Sequence, residues 1–374
     1  MKAHVNSVKR EDLKNVVVPE ADVVVVFAKR DMMKDPEFMG LISNATDAEV
    51  IYVSTAGQIY ENGVSDDLIT LSSIKLEKSS LRTISFNVKD HNNYTEVGRE
   101  LYNALDDPEL KGMMVFSDGI SVNGSDLRRG LESVNQGKIP IAGGLAGDSA
   151  EFESTLTGIN EAIEGNVVGI GFYGDAISLG FGSRGGWQFK RHMNIISDSE
   201  ANVLKEINGE RALDFYKTKL NGKLQELPSD ALKYPLMVSD IYSEQQLVRT
   251  VLSVDEEKGT MTFAGDMPLA SSIQFLEATD EQLIQGAQSA ALIANGHSND
   301  CKPDIAFLIS CVGRRLVMGE KVSEEVMVVR DILGYDVPIT GFYSYGELSP
   351  SEVSQQCELL NQTMTIITLT ENLS

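Results

Sequence analysis

The sequence predicts an α/β fold of two related halves, in which mixed β-sheets are flanked by helices. A strand–helix–strand pattern appears twice, over residues 113–148 and 305–347 of the 374-residue chain. In each copy, short apolar runs typical of buried strands lie on either side of a stretch with helically spaced apolar residues. Each copy ends in a glycine followed by a carboxylate, Gly147-Asp148 in the first and Gly346-Glu347 in the second. The chain therefore carries an internal strand–helix–strand duplication.

A weaker third copy of the pattern lies near the start of the chain. Apolar runs at 23–27 and 50–53 flank a predicted helix at 36–43, and Ala56-Gly57-Gln58 follows the second run. An amide here replaces the carboxylate of the other two copies. Chance similarity is the alternative explanation, because a glycine after an apolar run is common.

The other elements of the first half follow from the same periodicities. A strand is predicted at 82–87 and a helix at 95–105. After the first full copy, the glycine-punctuated runs 167–172 and 177–181 predict neighbouring antiparallel strands.

The polar stretch 221–228 marks a boundary, and we predict domains at 20–220 and 221–370. The second domain opens with strand patterns at 235–238, 248–254 and 261–264. A helix is predicted to begin at Thr279, where Gln282 provides the partner of a capping box, and to end at Gly296.

Charge and composition exclude several functional classes. The net charge of −23 argues against nucleic-acid binding, which needs a basic face, and against docking on anionic lipid. The first residues lack the apolar segment of a signal peptide, and no run has the length and apolarity of a membrane span. Three irregularly spaced cysteines (Cys301, Cys311 and Cys357) indicate neither a disulfide framework nor a zinc site. We therefore expect a cytoplasmic protein that does not insert into a membrane.

The turn that closes the first copy contains Gly143, Gly144, Gly147 and Asp148. Glycines permit positive φ angles or a close approach of backbone, so this turn is a candidate for presenting amides to an anion, with Asp148 orienting the ligand or binding its amine. The structural alternative is a tight crossing between sheets in which Asp148 caps backbone amides. The sequence leaves both interpretations open.

The second copy places Cys311 and Arg314 directly after a predicted buried strand. A cysteine near arginines can have a lowered pKa and act as a nucleophile, although no histidine here forms a recognisable base motif. A small buried cysteine is the commoner case. Arg314 is the better binding candidate, as a forked donor to a carboxylate or phosphate. Its structural alternative is a salt bridge, for which Glu347 is the candidate partner.

Four further residues complete the candidate ligand site. Arg184 and Glu347 would supply charge, and Trp187 and Tyr345 would supply apolar walls. Trp187, the only tryptophan of the chain, has the alternative role of plugging a seam between domains. The P-loop, the metalloprotease motif H-E-x-x-H and the nucleophile elbow G-x-S-x-G are all absent from the sequence, which weighs against an enzyme.

Together these segments resemble the FIST family, a bacterial sensory family with an N-terminal and a C-terminal FIST half. The resemblance extends from about Asp22 to Thr370. The segments that carry it are Ser54–Gly57, Gly143–Asp148, Arg184–Trp187, Phe263–Pro268, Ser310–Arg314, Gly341–Glu347 and Asn361–Thr363.

The resemblance implies an intracellular signal-input module that binds small ligands, amino acids among those proposed. Stand-alone members of this length resemble a branch of haem-binding nitric oxide sensors that act on a histidine kinase. Haem iron needs an axial ligand, usually a histidine, and the family pattern places one where this chain has Leu360. His192 is the first substitute to consider, ahead of His91, Cys311 and Tyr345. No cofactor is predicted, and haem is the alternative.

Three functional hypotheses follow. The first is a non-enzymatic cytosolic sensor that binds a small molecule and passes its occupancy to a signalling partner. The second is a haem-based nitric oxide sensor that regulates a histidine kinase, and the third is an enzyme with Cys311 as its nucleophile.

Overall fold

The structure, a computed structural model, describes residues 1–189, 192–239, 246–296 and 302–373. Cys301 lies outside the described residues. Three strand–helix–strand units organise the fold. Their elements are β2 (Val23–Ala28), α1 (Arg30–Met33), α2 (Pro36–Ser43) and β3 (Glu49–Ser54); β8 (Leu110–Ser117), α4 (Gly124–Asn135) and β9 (Ile141–Leu145); and β22 (Ile305–Cys311), α7 (Val312–Met318), α8 (Val322–Leu333) and β23 (Ile339–Ser344). The two strands of each unit are parallel neighbours, so the duplication is confirmed and the weaker third copy has the same arrangement.

Each unit lies at the centre of its own sheet. Sheet I has the order β1 (Lys2–Lys9), β6 (Leu68–Lys75), β2, β3 and β10 (Thr157–Ile159). Sheet II has the order β25 (Cys357–Leu360), β24 (Gly346–Pro350), β9, β8, β11 (Asn166–Tyr173) and β7 (Ser80–Asn87). Sheet III has the order β12 (Ile177–Arg184), β26 (Met364–Glu371), β22, β23, β4 (Gln58–Tyr60) and β5 (Gly63–Ser65).

A fourth sheet, sheet IV, is antiparallel. Its order is β18 (Gln246–Arg249), β17 (Leu236–Ser239), β21 (Ser272–Glu277), β14 (Asn194–Glu200), β15 (Val203–Ile207), β20 (Thr260–Phe263) and β19 (Val251–Asp255). Two short strands flank it, β13 (Gln188–Phe189) beside β21 and β16 (Glu210–Arg211) beside β15. Helix α5 (Ala212–Leu220) packs in its separate apolar core.

The three units exchange strands in a cycle. After β3, the chain enters sheet III, where β4 pairs with β23. After β23, the chain enters sheet II, where β24 pairs with β9, and after β9 it enters sheet I, where β10 pairs with β3. Sheets II and III therefore each contain strands from both sides of the boundary drawn between residues 220 and 221, and that boundary stays a prediction.

One central core joins sheets I, II and III. Phe27, Phe116, Phe307 and Phe342 meet there, with the Phe27 and Phe342 rings stacked at 4.9 Å. Helices cover the other faces. Helix α2 packs on sheet I, α3 (Tyr94–Leu105) and α4 on sheet II, and α6 (Asp280–Gly296) and α8 on sheet III. The predicted α/β class, with mixed sheets and flanking helices, is confirmed.

The predicted pairing of the two glycine-punctuated runs is wrong. Strand β11 pairs with β7 and β8, whereas β12 leaves sheet II and pairs with β26. Gly182 explains the separation, because β12 lies so close to α6 that a Cβ at this position would be 2.1 Å from the Ala290 carbonyl oxygen. Packing against a helix and a distant strand therefore outweighs the local signal for a hairpin.

The predicted capping box of α6 is confirmed. The Thr279 backbone N–H donates to Gln282 Oε1 over 3.0 Å, and the Gln282 N–H donates to Thr279 Oγ1 over 3.4 Å. Among the described residues, no helix combines the length and the apolarity needed to cross a membrane.

Candidate functional site

A cleft of about 650 Å³ opens between the end of β12 and strands β24 and β25. We call it the β12–β24 cleft. It is lined by residues 181–185, 246–248, 349–354, 358, 360, 361 and 363. Its volume lies within the range of about 300 to 1,000 Å³ that is usual for small-molecule sites. Strands that are distant in the sequence form it, because β12 pairs with β26 in sheet III and β24 enters sheet II by the exchange described above.

At this cleft, the buried oxygens Asn361 Oδ1 and Ser349 Oγ have no hydrogen-bond partner among the residues that the structure describes. The Asn361 Nδ2 group donates to the Leu360 carbonyl oxygen over 2.9 Å, but Asn361 Oδ1 accepts nothing. Ser349 Oγ, on strand β24, is likewise buried and unpaired. Leaving a buried polar group unpaired costs about 1 to 3 kcal/mol, so the cleft offers unsatisfied hydrogen-bonding capacity beside apolar walls such as Phe181 and Leu360.

Charged side chains lie at two positions along the same cleft. Arg184 pairs with Glu352 at 2.7 Å, with 43% and 48% of the two side chains exposed. An exposed ion pair contributes about 0 to 1 kcal/mol, so the Arg184 guanidinium can exchange Glu352 for another carboxylate at little cost. Glu358 is buried, and its carboxylate lies 3.8 Å from the Arg128 guanidinium.

Thr363 joins the cleft to the buried carboxylate of Glu347. The Thr363 hydroxyl and backbone N–H donate to Glu347 Oε2 over 2.8 and 3.2 Å, and the Ser344 hydroxyl donates to Oε1 over 2.5 Å. Burial raises the pKa of Glu347 to about 8, against the opposing effect of these hydrogen bonds. The Cys311 backbone N–H donates to the Thr363 carbonyl oxygen, and burial raises the pKa of the Cys311 thiol.

Arg314 is a structural residue and does not face the cleft. Its fully buried guanidinium pairs with Glu325 at 2.7 Å and donates to the carbonyl oxygens of Gly185 and Leu283. The prediction that Glu347 is the salt-bridge partner of Arg314 is therefore wrong. Glu325 lies on α8, and its carboxylate also accepts hydrogen bonds from the buried hydroxyls of Ser310 and Tyr343. Hydrogen bonds to other groups therefore position both Arg314 and Glu325.

Trp187 fills the seam beneath the cleft. Its indole Nε1–H donates to the Gln362 carbonyl oxygen over 2.9 Å. A Cβ on Gly185 would lie 2.8 Å from the indole ring, which shows how closely the backbone passes the ring. Trp187 thus packs against the segment next to Asn361, and the plugging role fits its position.

Asp148 and Tyr345 lie at a separate place, where the three units meet. Asp148 accepts the backbone N–H groups of residues 152, 153 and 154 over 2.8 to 3.1 Å, pairs with Arg30 at 3.1 Å and accepts the Tyr345 hydroxyl. Gly147 packs tightly here, since a Cβ would lie 2.7 Å from the Ala56 nitrogen. Asp148 caps backbone amides, as in the structural interpretation of this turn. Sequence reasoning missed Arg30.

Gly143 and Gly144 are core positions of β9. Gly143 has φ of +155°, and a Cβ there would lie 1.9 Å from the Val115 carbonyl oxygen. A Cβ on Gly144 would lie 2.6 Å from the Ile309 side chain. These glycines allow close packing of the sheets, so the expectation that they present amides to an anion is not supported by their positions.

Comparison with known families assigns both parts of the chain. Residues 22–210 match the FIST N domain, and residues 212–350 match the FIST C domain. The chain belongs to the FIST family. FIST domains are sensory domains for small ligands in signal transduction.

The other two comparisons give no functional information about this FIST protein. No curated protein matches it. Among solved structures, a chorismatase has 9% identity and a TM-score of 0.37, with 98% of each chain covered. A putative 2,3-dihydroxybenzoate-specific isochorismate synthase from Bacillus anthracis has 13% identity and a TM-score of 0.13, with 98% of this chain and 93% of its own covered.

The predicted site residues of this FIST protein thus fall into groups. Arg184 lines the β12–β24 cleft, while Trp187, Cys311, Arg314 and Glu347 bond to residues that line or adjoin it. The remaining predicted site residues lie away from the cleft. Gly143 and Gly144 are in β9, and Gly147, Asp148 and Tyr345 are at the place where the three units meet. His192 is exposed and does not line the cleft.

Proposed function

We propose that this FIST protein is a non-enzymatic, cytosolic sensor that binds a small zwitterion of the amino-acid class in the β12–β24 cleft. Occupancy would pass by contact to a signalling partner such as a histidine kinase. The observation that carries the proposal is the pair of buried atoms Asn361 Oδ1 and Ser349 Oγ, which have no partner among the described residues and belong to residues that line a cavity of small-molecule size.

The charges of the cleft favour a ligand with two ends. An ammonium group would donate to Asn361 Oδ1, Ser349 Oγ and the buried side of the cleft near Glu358. A carboxylate would take the place of Glu352 on Arg184, whose planar fork suits it. The apolar part of the ligand would lie on the walls between these two ends.

The position of the cleft suits a sensor. Residues 181–185 come from the FIST N domain, and residues 246–248 and 349–350 come from the FIST C domain. A ligand held by both sets of residues would change the interaction between the two domains. A difference in affinity between two such states is what a ligand needs in order to shift a conformational equilibrium.

The alternative of a cysteine enzyme has little structural support. The thiolate is the nucleophilic form, and burial raises the pKa of the Cys311 thiol. Cys311 is 1% exposed, so a substrate has no direct approach to its sulfur.

Haem does not fit the residues of the β12–β24 cleft. Histidine, cysteine, methionine and tyrosine are the usual axial ligands, and none of them is among the described residues that line the cleft. Leu360, at the position where the family pattern has a histidine, lines the cleft with an aliphatic side chain. We expect a titration with hemin, in oxidised and reduced protein, to give only the broad spectrum of free hemin. A sharp Soret band at one haem per chain, lost in His192→Ala, would contradict the proposal.

Calorimetry with a panel of free amino acids tests the main proposal. Ser349→Ala should weaken binding of the best ligand about tenfold by removing one hydrogen bond to a charged group. Ser72→Ala is the matched control, because Ser72 Oγ is also buried and unpaired but lies on β6, away from the cleft. Equal affinities in the two variants, or no binding of any amino acid, would refute the proposal.

Arg184→Gln separates recognition of the carboxylate from that of the ammonium. The variant should lose affinity for an amino acid but not for the corresponding amine, which has no carboxylate. Arg82→Gln is the control, since Arg82 is also about half exposed (48%) and also pairs with one carboxylate, Asp107, at 2.9 Å. Parallel losses for the amino acid and the amine would place Arg184 outside the site.

A further inference from the structure

A second, smaller cavity of about 170 Å³ lies between the first turns of α4 and the edge of sheet IV. We call it the arginine cavity. It is lined by Ser125, Arg128, Arg129, Val238, Leu247, Arg249, Asp266 and Pro268. Water takes about 30 Å³ per molecule in the liquid, so the cavity has room for a tetrahedral oxyanion.

Arg249 is a buried cation whose bonds leave one edge open. It is 4% exposed, and it donates through Nε to the Asp266 carbonyl oxygen and through Nη1 to those of Val248 and Leu359, over 3.1 to 3.2 Å. Within the described part of the chain, Nη2 has no hydrogen bond and no carboxylate lies within 4.0 Å of the guanidinium. Burial lowers the pKa of Arg249 to about 10, so it stays charged at neutral pH.

The two arginines of α4 differ in their pairing. Arg129 forms ion pairs with both Asp126 and Asp266. Arg128 has its nearest carboxylate, Glu358, at 3.8 Å, which is too long for a hydrogen bond. The cavity therefore has unsatisfied N–H donors on Arg249 and Arg128.

Asp266 contributes an unpaired acceptor to the same cavity. Its Oδ2 pairs with Arg129, whereas Oδ1 is buried and has no partner in the described part of the chain. A group that satisfies the whole cavity must accept hydrogen bonds from the arginines and donate one to Asp266 Oδ1. An oxyanion that retains a proton meets both conditions.

We propose that the arginine cavity binds a hydrogen phosphate group, either as the free ion or as the end of a phosphomonoester in its singly protonated form, which is abundant only near or below its second pKa of about 6. Its ionised oxygens accept from Arg249 Nη2 and Arg128, and its hydroxyl donates to Asp266 Oδ1. Sulfate has the same shape but carries no proton at neutral pH, so its oxygen would meet Asp266 Oδ1 with no hydrogen between them. Asp266 therefore selects phosphate over sulfate, and this site does not depend on the proposed amino-acid cleft.

The sequence segment Phe263–Pro268 builds this cavity. The resemblance to the FIST family already rests partly on this segment, yet the β12–β24 cleft does not use it. Gly265 lies against Arg249, and a Cβ there would be 2.8 Å from the guanidinium carbon. Asp266 supplies both the carbonyl oxygen that holds Nε and the carboxylate that faces the cavity. Gly265 thus allows Arg249 to pack closely, and Asp266 accepts a hydrogen bond from it.

Titration calorimetry of the whole chain with inorganic phosphate, compared with sulfate at equal ionic strength, tests the proposal. We expect phosphate to bind and sulfate not to bind. Arg249→Gln should weaken phosphate binding about tenfold or more, since a charge-assisted bond is lost. Arg211→Gln, at an exposed arginine of sheet IV that also donates to carbonyl oxygens, is the control and should bind phosphate normally.

Asp266→Asn keeps the test decisive if Arg249→Gln does not fold. The asparagine amide can donate where the aspartate only accepts, so this variant should bind sulfate about as well as phosphate. Glycerol 3-phosphate, titrated at about pH 6 where about half of it keeps its second proton, distinguishes the two sources, because binding of phosphate alone identifies the free ion, and binding of both identifies a recognised phosphate end. Equal responses to phosphate and sulfate in the wild type, or unchanged phosphate binding in Arg249→Gln, would overturn the proposal.

Discussion

Glu347 should make the stability of this FIST protein fall as the pH rises. The carboxyl is fully buried, and burial raises its pKa from the ordinary 4.5 to about 8. A group whose pKa is higher in the folded state contributes its full stability below the unfolded pKa and loses it as the pH rises through the folded pKa. The loss is therefore expected between about pH 4.5 and pH 8.

The size of the effect follows from the two pKa values. They differ by about 3.5, and each unit corresponds to about 1.4 kcal/mol, so the folded state loses about 5 kcal/mol across this range. Glu347→Gln keeps the shape, one acceptor oxygen for Thr363 and an amide group that can donate to the Ser344 hydroxyl oxygen, but it has no proton to lose. Urea unfolding of both proteins should therefore show that the free energy of unfolding of the variant rises by about 5 kcal/mol relative to that of the wild type between about pH 4.5 and pH 8.

Subtracting the wild type from the variant cancels the other titrating groups, which both proteins share. Glu371→Gln is the control of opposite sign. Burial alone raises the Glu371 pKa, but the backbone N–H groups of residues 77 to 79 outweigh burial and lower it to about 2. Its contribution is complete above about pH 4.5 and is lost as the pH falls towards 2. Parallel stability curves for Glu347→Gln and wild type would refute the reasoning.

Three further predictions concern buried residues that the sequence analysis singled out. Arg314→Met should cost about 3 to 5 kcal/mol in urea unfolding, because it leaves the Glu325 carboxylate buried and unpaired, and Glu325→Gln in the same chain should restore part of the loss. Gly143→Ala should lower the melting temperature because of the +155° φ angle and the carbonyl contact, whereas Gly40→Ala, in a helix with open space around it, should not. Cys311 should react slowly with iodoacetamide in the native protein and rapidly after unfolding, as followed by mass spectrometry, and fast native alkylation would contradict its burial.

The strand–helix–strand units could be predicted from the sequence because each depends on local periodicity. The pairing of strands could not. Nothing near Gln58 indicates that β4 pairs with β23, since its partner in that strand, Phe342, lies far away in the sequence. The same reason explains β11 and β12, whose adjacency in the sequence favours a hairpin although they belong to different sheets.

The candidate site was predictable in its segments but not in its partners. Arg314 was singled out as a donor to a ligand, with a salt bridge to Glu347 as the alternative, whereas the structure pairs it with Glu325, which the turn of the chain between α7 and α8 brings close. Asn361 belongs to a segment that carries the family resemblance. Its importance for a ligand depends on an oxygen left without a partner, which only the packing of β12 against β24 reveals.

Strand β24 connects the parts of the molecule that the sequence first drew attention to. Alternate residues of a strand face the same side, as Glu347 and Ser349 do in β24, and Tyr345 directly precedes the strand. Tyr345 contacts Asp148 at the junction of the units, Glu347 bonds to the cleft residue Thr363, and Ser349 lines the cleft. Since β24 lies in the FIST C domain and pairs with β9 of the FIST N domain, a ligand that binds Ser349 would act on a strand already fixed in both domains.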